Sequence, residues 1–119
     1  MTKELETTTL YTALDAYAEQ IGKQAGHSPA AFIMNRLAII RLLKKHHDDI
    51  PLAHIDLSAC VSMIDLWRSR PLSERTGKPF AASTAAKAQS ELIRFFGWLD
   101  LSPQFEWIAP SHFGQISRR

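Results

Sequence analysis

Apolar residues recur at three- and four-residue steps in several stretches of the chain, which is the spacing of one face of an α-helix. The clearest stretch runs from Ser83 to Leu99. Its apolar face comprises Ala85, Ala88, Leu92, Phe95, Phe96 and Leu99. The residues predicted to lie away from this face are Lys87, Ser90, Glu91 and Arg94. The hydroxyls of Ser83 and Thr84 are predicted to cap the N-terminus of the helix.

The same periodicity predicts three helices before this one. The predicted helices span about residues 8–24, 28–47, 57–70 and 83–100. The second begins with Ser28 as a cap and Pro29 in the first turn, and its apolar residues cover more than half of its circumference, so we expect it to be the most buried. No stretch alternates like a β-strand, so the sequence predicts an all-α fold, a compact bundle of four to five helices.

The links between the helices predict how the domain is organised. Residues 1–103 are expected to form one helical domain, and residues 104–119 an extended exit segment that packs Phe105 and Trp107 on the bundle. The loop 71–82 is long enough to suggest a functional role. The last three residues show no closing structure, so we expect the chain to be cut from a longer protein.

Composition narrows the class of protein. The chain has 119 residues and one cysteine, Cys60, so it forms no intrachain disulfide and a reducing, cytoplasmic location is expected. Cys60 lies on an apolar helix face and is interpreted as a core residue. No window is apolar enough to span a membrane, and the N-terminus is no secretory signal, so no membrane partner is expected.

The distribution of charge is more informative than the net charge of +2. Residues 28–47 carry four basic residues and no acid, namely Arg36, Arg41, Lys44 and Lys45. Residues 67–94 carry six basic residues against Glu74 and Glu91, and these include Lys78, Lys87 and Arg94. Two basic segments in one small domain favour a side that faces a polyanion. Scattered, solvated charge remains an equally weighted interpretation.

The sequence carries few patterns that are typical of catalytic or metal sites. There is no glycine-rich phosphate loop, no nucleophile elbow and no pair of carboxylates in an expected cleft. His46, His47, Asp48 and Asp49 look like metal ligands, but adjacent residues on a helix do not face each other, and we interpret them as a polar helix exit. The chain is therefore expected to be no enzyme and to hold no metal or cofactor.

The order of elements resembles the core-binding, or SAM-like N-terminal, domain of tyrosine recombinases and phage integrases. The resemblance is carried by LYTALDAY at 10–17, by the Ser28-led helix with Asn35-Arg36, by residues 52–67, by SxxxKxxxxLIRFFxWL at 83–99, and by WIAP at 107–110. It covers nearly the whole chain.

The resemblance implies a function. Such a domain grips one side of duplex DNA in a sequence-directed way, while a C-terminal catalytic domain grips the other during DNA integration or recombination. The implied partners are double-stranded DNA, that catalytic domain and further protomers assembled on DNA. The family's nucleophilic tyrosine near the C-terminus and its His-x-x-Arg pair have no counterpart here, so cutting would either belong to a domain outside this chain or have been lost.

In that family the second and fourth helices face the major groove. Position by position, the resemblance nominates Ser28, Asn35, Arg36, Ser83, Thr84, Lys87, Ser90 and Arg94 as DNA-binding residues. The charge distribution adds Arg41, Lys45 and Lys78.

Two other functions remain open. The chain could be a helical protein–protein interaction domain that docks a partner on its apolar tail, which comprises Phe105, Trp107, Ile108 and Phe113. A helix-turn-helix regulator is less favoured, because the loop before the fourth helix is longer than the usual turn of three to four residues.

Overall fold

The computed structural model describes residues 8–26, 29–105 and 107–110, and most of them lie in four α-helices. The helices are α1 (Leu10–Gly22), α2 (Ala30–His46), α3 (Leu57–Arg68) and α4 (Ala82–Leu101). Two short 3-10 turns, Lys23–Gly26 and Leu52–His54, lie in the connections. Every helix bound lies within two residues of the predicted one. Within the described ranges there is no strand, only isolated bridges, so the predicted all-α bundle is confirmed.

Two helices begin at side-chain caps and two do not. Thr9 caps α1, and the carboxylate of Asp56 caps α3 by accepting from the backbone N–H of Ala59 at 2.9 Å. Helix α4 begins after Ala81, whose backbone is extended, and it has no side-chain cap. The predicted cap at 83–84 is therefore wrong, because both hydroxyl residues already lie inside the first turn of α4.

Helix α4 supplies more of the core than any other described helix, because it packs against α1, α2 and α3. Its buried residues are Ala85, Ala88, Glu91, Leu92, Phe95, Phe96 and Leu99. Helix α2 buries only Ile33, Ile40 and Leu43. The expectation that the second helix would be the most buried is wrong, because one side of α2 faces solvent and leaves Phe32 and Met34 exposed. Cys60 is fully buried, as predicted, and burial raises its pKa to about 12.

The segment after α4 is fastened to the bundle by its aromatic side chains. Phe105 and Trp107 are buried, as predicted. The Trp107 ring stacks on Phe96 with the centroids 5.8 Å apart, and its Nε1 donates to the carbonyl oxygen of Ile55 at 3.2 Å. Phe105 and Trp107 are thus unavailable as a docking tail. Phe113, the fourth residue of that tail, lies outside the described residues.

The long loop between α3 and α4 is folded on itself. Ser73 and Lys78 are joined by a backbone hydrogen bond of 2.8 Å, and Gly77 supplies the left-handed conformation (φ 69°) that the tight turn requires. The ring of Phe80 packs 5.8 Å from that of Trp67. This contact holds the end of the loop, two residues before α4 begins, against α3. Lys78 is exposed at the turn.

Candidate functional site

Helices α2 and α4 lie side by side and run in opposite directions. Arg36 in α2 contacts Glu91 in α4, whereas His46 at the end of α2 lies 5.2 Å, ring to ring, from Phe80 just before α4 begins. A groove of about 420 Å³ opens between the two helices. Its walls comprise Phe32, Asn35, Arg36, Ile39, Ala86, Lys87, Ser90, Glu91 and Arg94. We call this the α2–α4 groove.

An ion pair between Arg36 and Glu91 lies on the inner side of the groove, and a tyrosine from a third helix hydrogen-bonds to both residues. The Arg36 guanidinium donates from Nε to Oε1 and from Nη2 to Oε2 of Glu91, both at 2.8 Å. The hydroxyl of Tyr17 in α1 donates to Glu91 Oε2 at 2.5 Å and accepts from Arg36 Nη2 at 2.9 Å. We call Tyr17, Arg36 and Glu91 the buried triad. Because its members come from α1, α2 and α4, it fixes how these helices meet.

The protonation states of the triad follow from burial and from these bonds. Burial acts to raise the pKa of the Glu91 carboxyl, but the hydrogen bonds from Arg36 and Tyr17 outweigh it, so the pKa lies below its ordinary value. Burial, and then the neighbouring Glu91 carboxylate, raise the pKa of Tyr17 above its ordinary value. Glu91 is therefore a carboxylate and Tyr17 a neutral phenol at neutral pH.

The prediction that Glu91 lies away from the apolar face of its helix is wrong. Its side chain is only 4% exposed, and the Arg36 side chain is 17% exposed. A carboxylate tolerates this burial because a bidentate guanidinium and a phenol satisfy its oxygens. A sequence signal was available, since Glu91 follows Ala88 by three residues and precedes Phe95 by four, in phase with the buried face.

Two cations lie along one edge of the groove. Lys87 and Arg94 are seven residues apart on the exposed side of α4, and in the part of the chain that the structure describes neither forms a salt bridge. Asn35 and Ser90 are exposed beside them. The groove therefore presents two positive charges, an amide and a hydroxyl next to an apolar wall.

The structure brings together five of the predicted site residues and leaves the others apart. Those in the groove are Asn35, Arg36, Lys87, Ser90 and Arg94. Arg41 is exposed and, among the described residues, makes no salt bridge, whereas Lys45 pairs with Glu74 at 3.1 Å. Ser83 and Thr84 occupy the first turn of α4, and Lys78 lies in the preceding loop. Ser28 lies outside the described residues.

The two histidines at the end of α2 pack against the ring of Trp67. Within the described ranges no three His, Cys, Asp or Glu residues are arranged to hold a metal ion. His47 is only 8% exposed, and its Nε2 accepts from Trp67 Nε1 at 2.8 Å. Burial, and then the nearby charge of His46, lower the pKa of His47 to about 4. The interpretation of this stretch as a polar helix exit is wrong for His47, which is a neutral acceptor inside the bundle.

Comparison with protein-family models, with curated proteins and with solved structures yields no match. The site is therefore interpreted from its own geometry. None of the helices in the described ranges is long and apolar enough to cross a membrane. The α2–α4 groove combines two cations that form no salt bridge among the described residues with a half-exposed aromatic ring, and this combination suits an anionic ligand.

Proposed function

We propose that this chain binds duplex DNA through α2 and α4, as the SAM-like core-binding half of an integrase-type recombinase whose cutting steps belong to another domain. The observation that carries the proposal is the position of Lys87 and Arg94 on one edge of the groove. Seven helical residues separate them by about 10 Å along the helix axis. Measured along the axis of duplex DNA, this distance spans about three base pairs, at roughly 3.4 Å each.

The neutral groups beside the cations support the same function. Asn35 and Ser90 offer an amide and a hydroxyl, which hydrogen-bond to phosphates, sugars and base edges. Arg36 has a different role, because Glu91 already neutralises its charge and occupies three of its hydrogen bonds together with Tyr17. We assign Arg36 to positioning α2 against α4, and Lys87 and Arg94 to the phosphates.

The proposal predicts that DNA affinity falls when either groove cation is removed. Fluorescence anisotropy with a labelled duplex, at several salt concentrations, measures the affinity and its salt slope. Each of Lys87→Ala and Arg94→Ala should reduce the slope of log K against log salt by about 0.9, because one fewer counterion is released. Both side chains are exposed, so the melting temperature should change little.

Matched controls remove a charge elsewhere on the surface. Lys44 pairs with Asp15 at 2.7 Å on the α1 side, and Arg68 pairs with Asp65 at 2.8 Å on α3. Lys44→Ala and Arg68→Ala should leave the salt slope close to that of the wild type. Absent or salt-insensitive binding of the wild type would overturn the proposal, and so would an equal loss in the controls.

The alternative of a protein-interaction domain has less support. Among the described residues of its proposed tail, Phe105 and Trp107 are buried and only Ile108 is exposed, at 81%. A helix-turn-helix regulator also fits poorly, because residues 69–81 separate α3 from α4 and fold into a turn of their own. DNA binding through α2 and α4 is the function that the described surface supports best.

A further inference from the structure

An aromatic ring lies half exposed at the mouth of the α2–α4 groove. Phe32 is 49% exposed, although burial of a phenylalanine side chain away from water is favourable. The guanidinium carbon of Arg36 lies 5.9 Å from its ring centroid, which is within the range of a cation–π interaction. Glu91 holds that guanidinium from the other side, so the position of the cation beside the ring is fixed by the buried triad.

The lining of the groove combines three kinds of surface. Phe32, Ile39 and Ala86 form an apolar wall, Asn35 and Ser90 offer hydrogen bonds, and two cations lie at one edge. A phosphate alone would make no favourable contact with the apolar wall, and a purely apolar ligand would form no ion pair with the cations. A nucleotide needs both, because its base has an apolar face with polar edges and its phosphate is anionic. The volume of about 420 Å³ lies within the range of small-molecule sites.

Both faces of a base inside an intact duplex are covered by its neighbours. A base that stacks on Phe32 must therefore have left the stack, as at a bulge, a branch or a single-stranded stretch. Proteins that bind such bases commonly combine a basic groove with an exposed aromatic ring. The α2–α4 groove has this combination in one place.

We infer that the α2–α4 groove binds one unpaired, unstacked nucleotide of a DNA strand. Phe32 provides the stacking face, Asn35 contacts the edge of the base, and Lys87 with Arg94 bind phosphates of the same strand on either side of this nucleotide. This inference rests on the proposed DNA-binding function and adds a preference for distorted over fully paired DNA.

The test compares affinities for three probes by anisotropy: a fully paired duplex, the same duplex with one extrahelical adenine, and AMP as a competitor. The wild type should favour the bulged duplex by about tenfold, within the range that stacking of one base on an aromatic ring supports. Phe32→Leu, which keeps an apolar side chain without a ring, should reduce this ratio to about one. Phe32→Tyr should restore it.

A substitution outside the groove provides the control for Phe32→Leu. Met34 is 68% exposed on α2 outside the groove, so Met34→Ala should keep the wild-type ratio. Equal affinity of the wild type for both duplexes would overturn the inference while leaving DNA binding intact, whereas no binding to either would overturn both. Competition by AMP without any preference for bulged DNA would assign the groove to a free nucleotide and overturn the inference. An unchanged ratio in Phe32→Leu would also overturn it.

Discussion

Replacing Glu91 with alanine should lower the free energy of unfolding by about 3–5 kcal/mol, because it leaves a guanidinium partly buried without its counter-charge. Arg36 would lose both of its hydrogen bonds to the carboxylate, and the hydroxyl of Tyr17 would lose its acceptor. Chemical denaturation followed by circular dichroism measures the change. The loss should be similar at moderate and high salt, because a buried pair is screened much less than a surface pair.

A control variant distinguishes the effect of an unpaired buried charge from the effect of lost side-chain volume. The triple variant Tyr17→Phe, Arg36→Met, Glu91→Leu replaces all three polar groups with apolar ones of similar size. Removing a whole buried pair is often neutral or stabilising, so the triple variant should be more stable than Glu91→Ala alone. If Glu91→Ala were as stable as the wild type, the burial of the triad would be contradicted.

Acidification should destabilise the protein in two separate ranges of pH. His47 has a folded-state pKa of about 4 against an ordinary value of 6.5, so the unfolded chain binds its proton more readily. The contribution of neutral His47 to the free energy of unfolding is fully present above pH 6.5 and is lost as the pH falls toward 4. The loss amounts to about 2 kcal/mol between roughly pH 7 and pH 5 and to about 3 kcal/mol below the folded-state pKa.

The pKa of Glu91 is also lowered, so its contribution is lost only as the pH falls below the ordinary carboxyl value of 4.5. Unfolding free energies at several pH values therefore distinguish the two groups. His47→Gln keeps an acceptor for Trp67 but cannot be protonated, and it should remove most of the dependence above pH 4.5. His54→Gln removes an exposed imidazole and should retain that dependence. Equal pH dependence in His47→Gln and the wild type would contradict the assignment.

The sequence predicted the helices well because their apolar residues recur in phase over three or more turns. The same periodicity located the core face of α4, and the aromatic residues of the exit segment indicated the burial of Trp107. Periodicity places Glu91 in phase with the buried face of α4, but it could not show which side chains permit the burial of Glu91 and His47. Those partners, Arg36 and Trp67, are 55 and 20 residues away in the chain. Burial of a polar side chain depends on such distant partners, whereas burial of an apolar one follows from local pattern.

The candidate site was predictable in part. Charge and helix position indicated Lys87 and Arg94, and the structure places both beside Asn35 in one groove. Pattern alone could not separate Arg36, whose charge is already neutralised, from cations that lack an ion pair. Phe32 was also missed, because its apolar character suggested the core, whereas the structure leaves it half exposed in the lining of the groove.

The buried triad connects the core to the site. Arg36 contacts Phe32 on the groove side and Glu91 on the inner side, while Glu91 lies one turn from Lys87 and Arg94 on α4. Tyr17 joins this pair to α1. The alignment of the two groove walls therefore depends on side chains that take little part in binding.

The most direct test of DNA binding through α2 and α4 is nuclear magnetic resonance of ¹⁵N-labelled protein titrated with duplex DNA. The amide shifts should change most along α2 and along residues 83–94 of α4, around Asn35, Lys87, Ser90 and Arg94. The amides of α3 should change little. Shift changes concentrated on α3, or at Leu101 and Ile108 beyond the groove, would contradict DNA binding through α2 and α4, and so would the absence of any change.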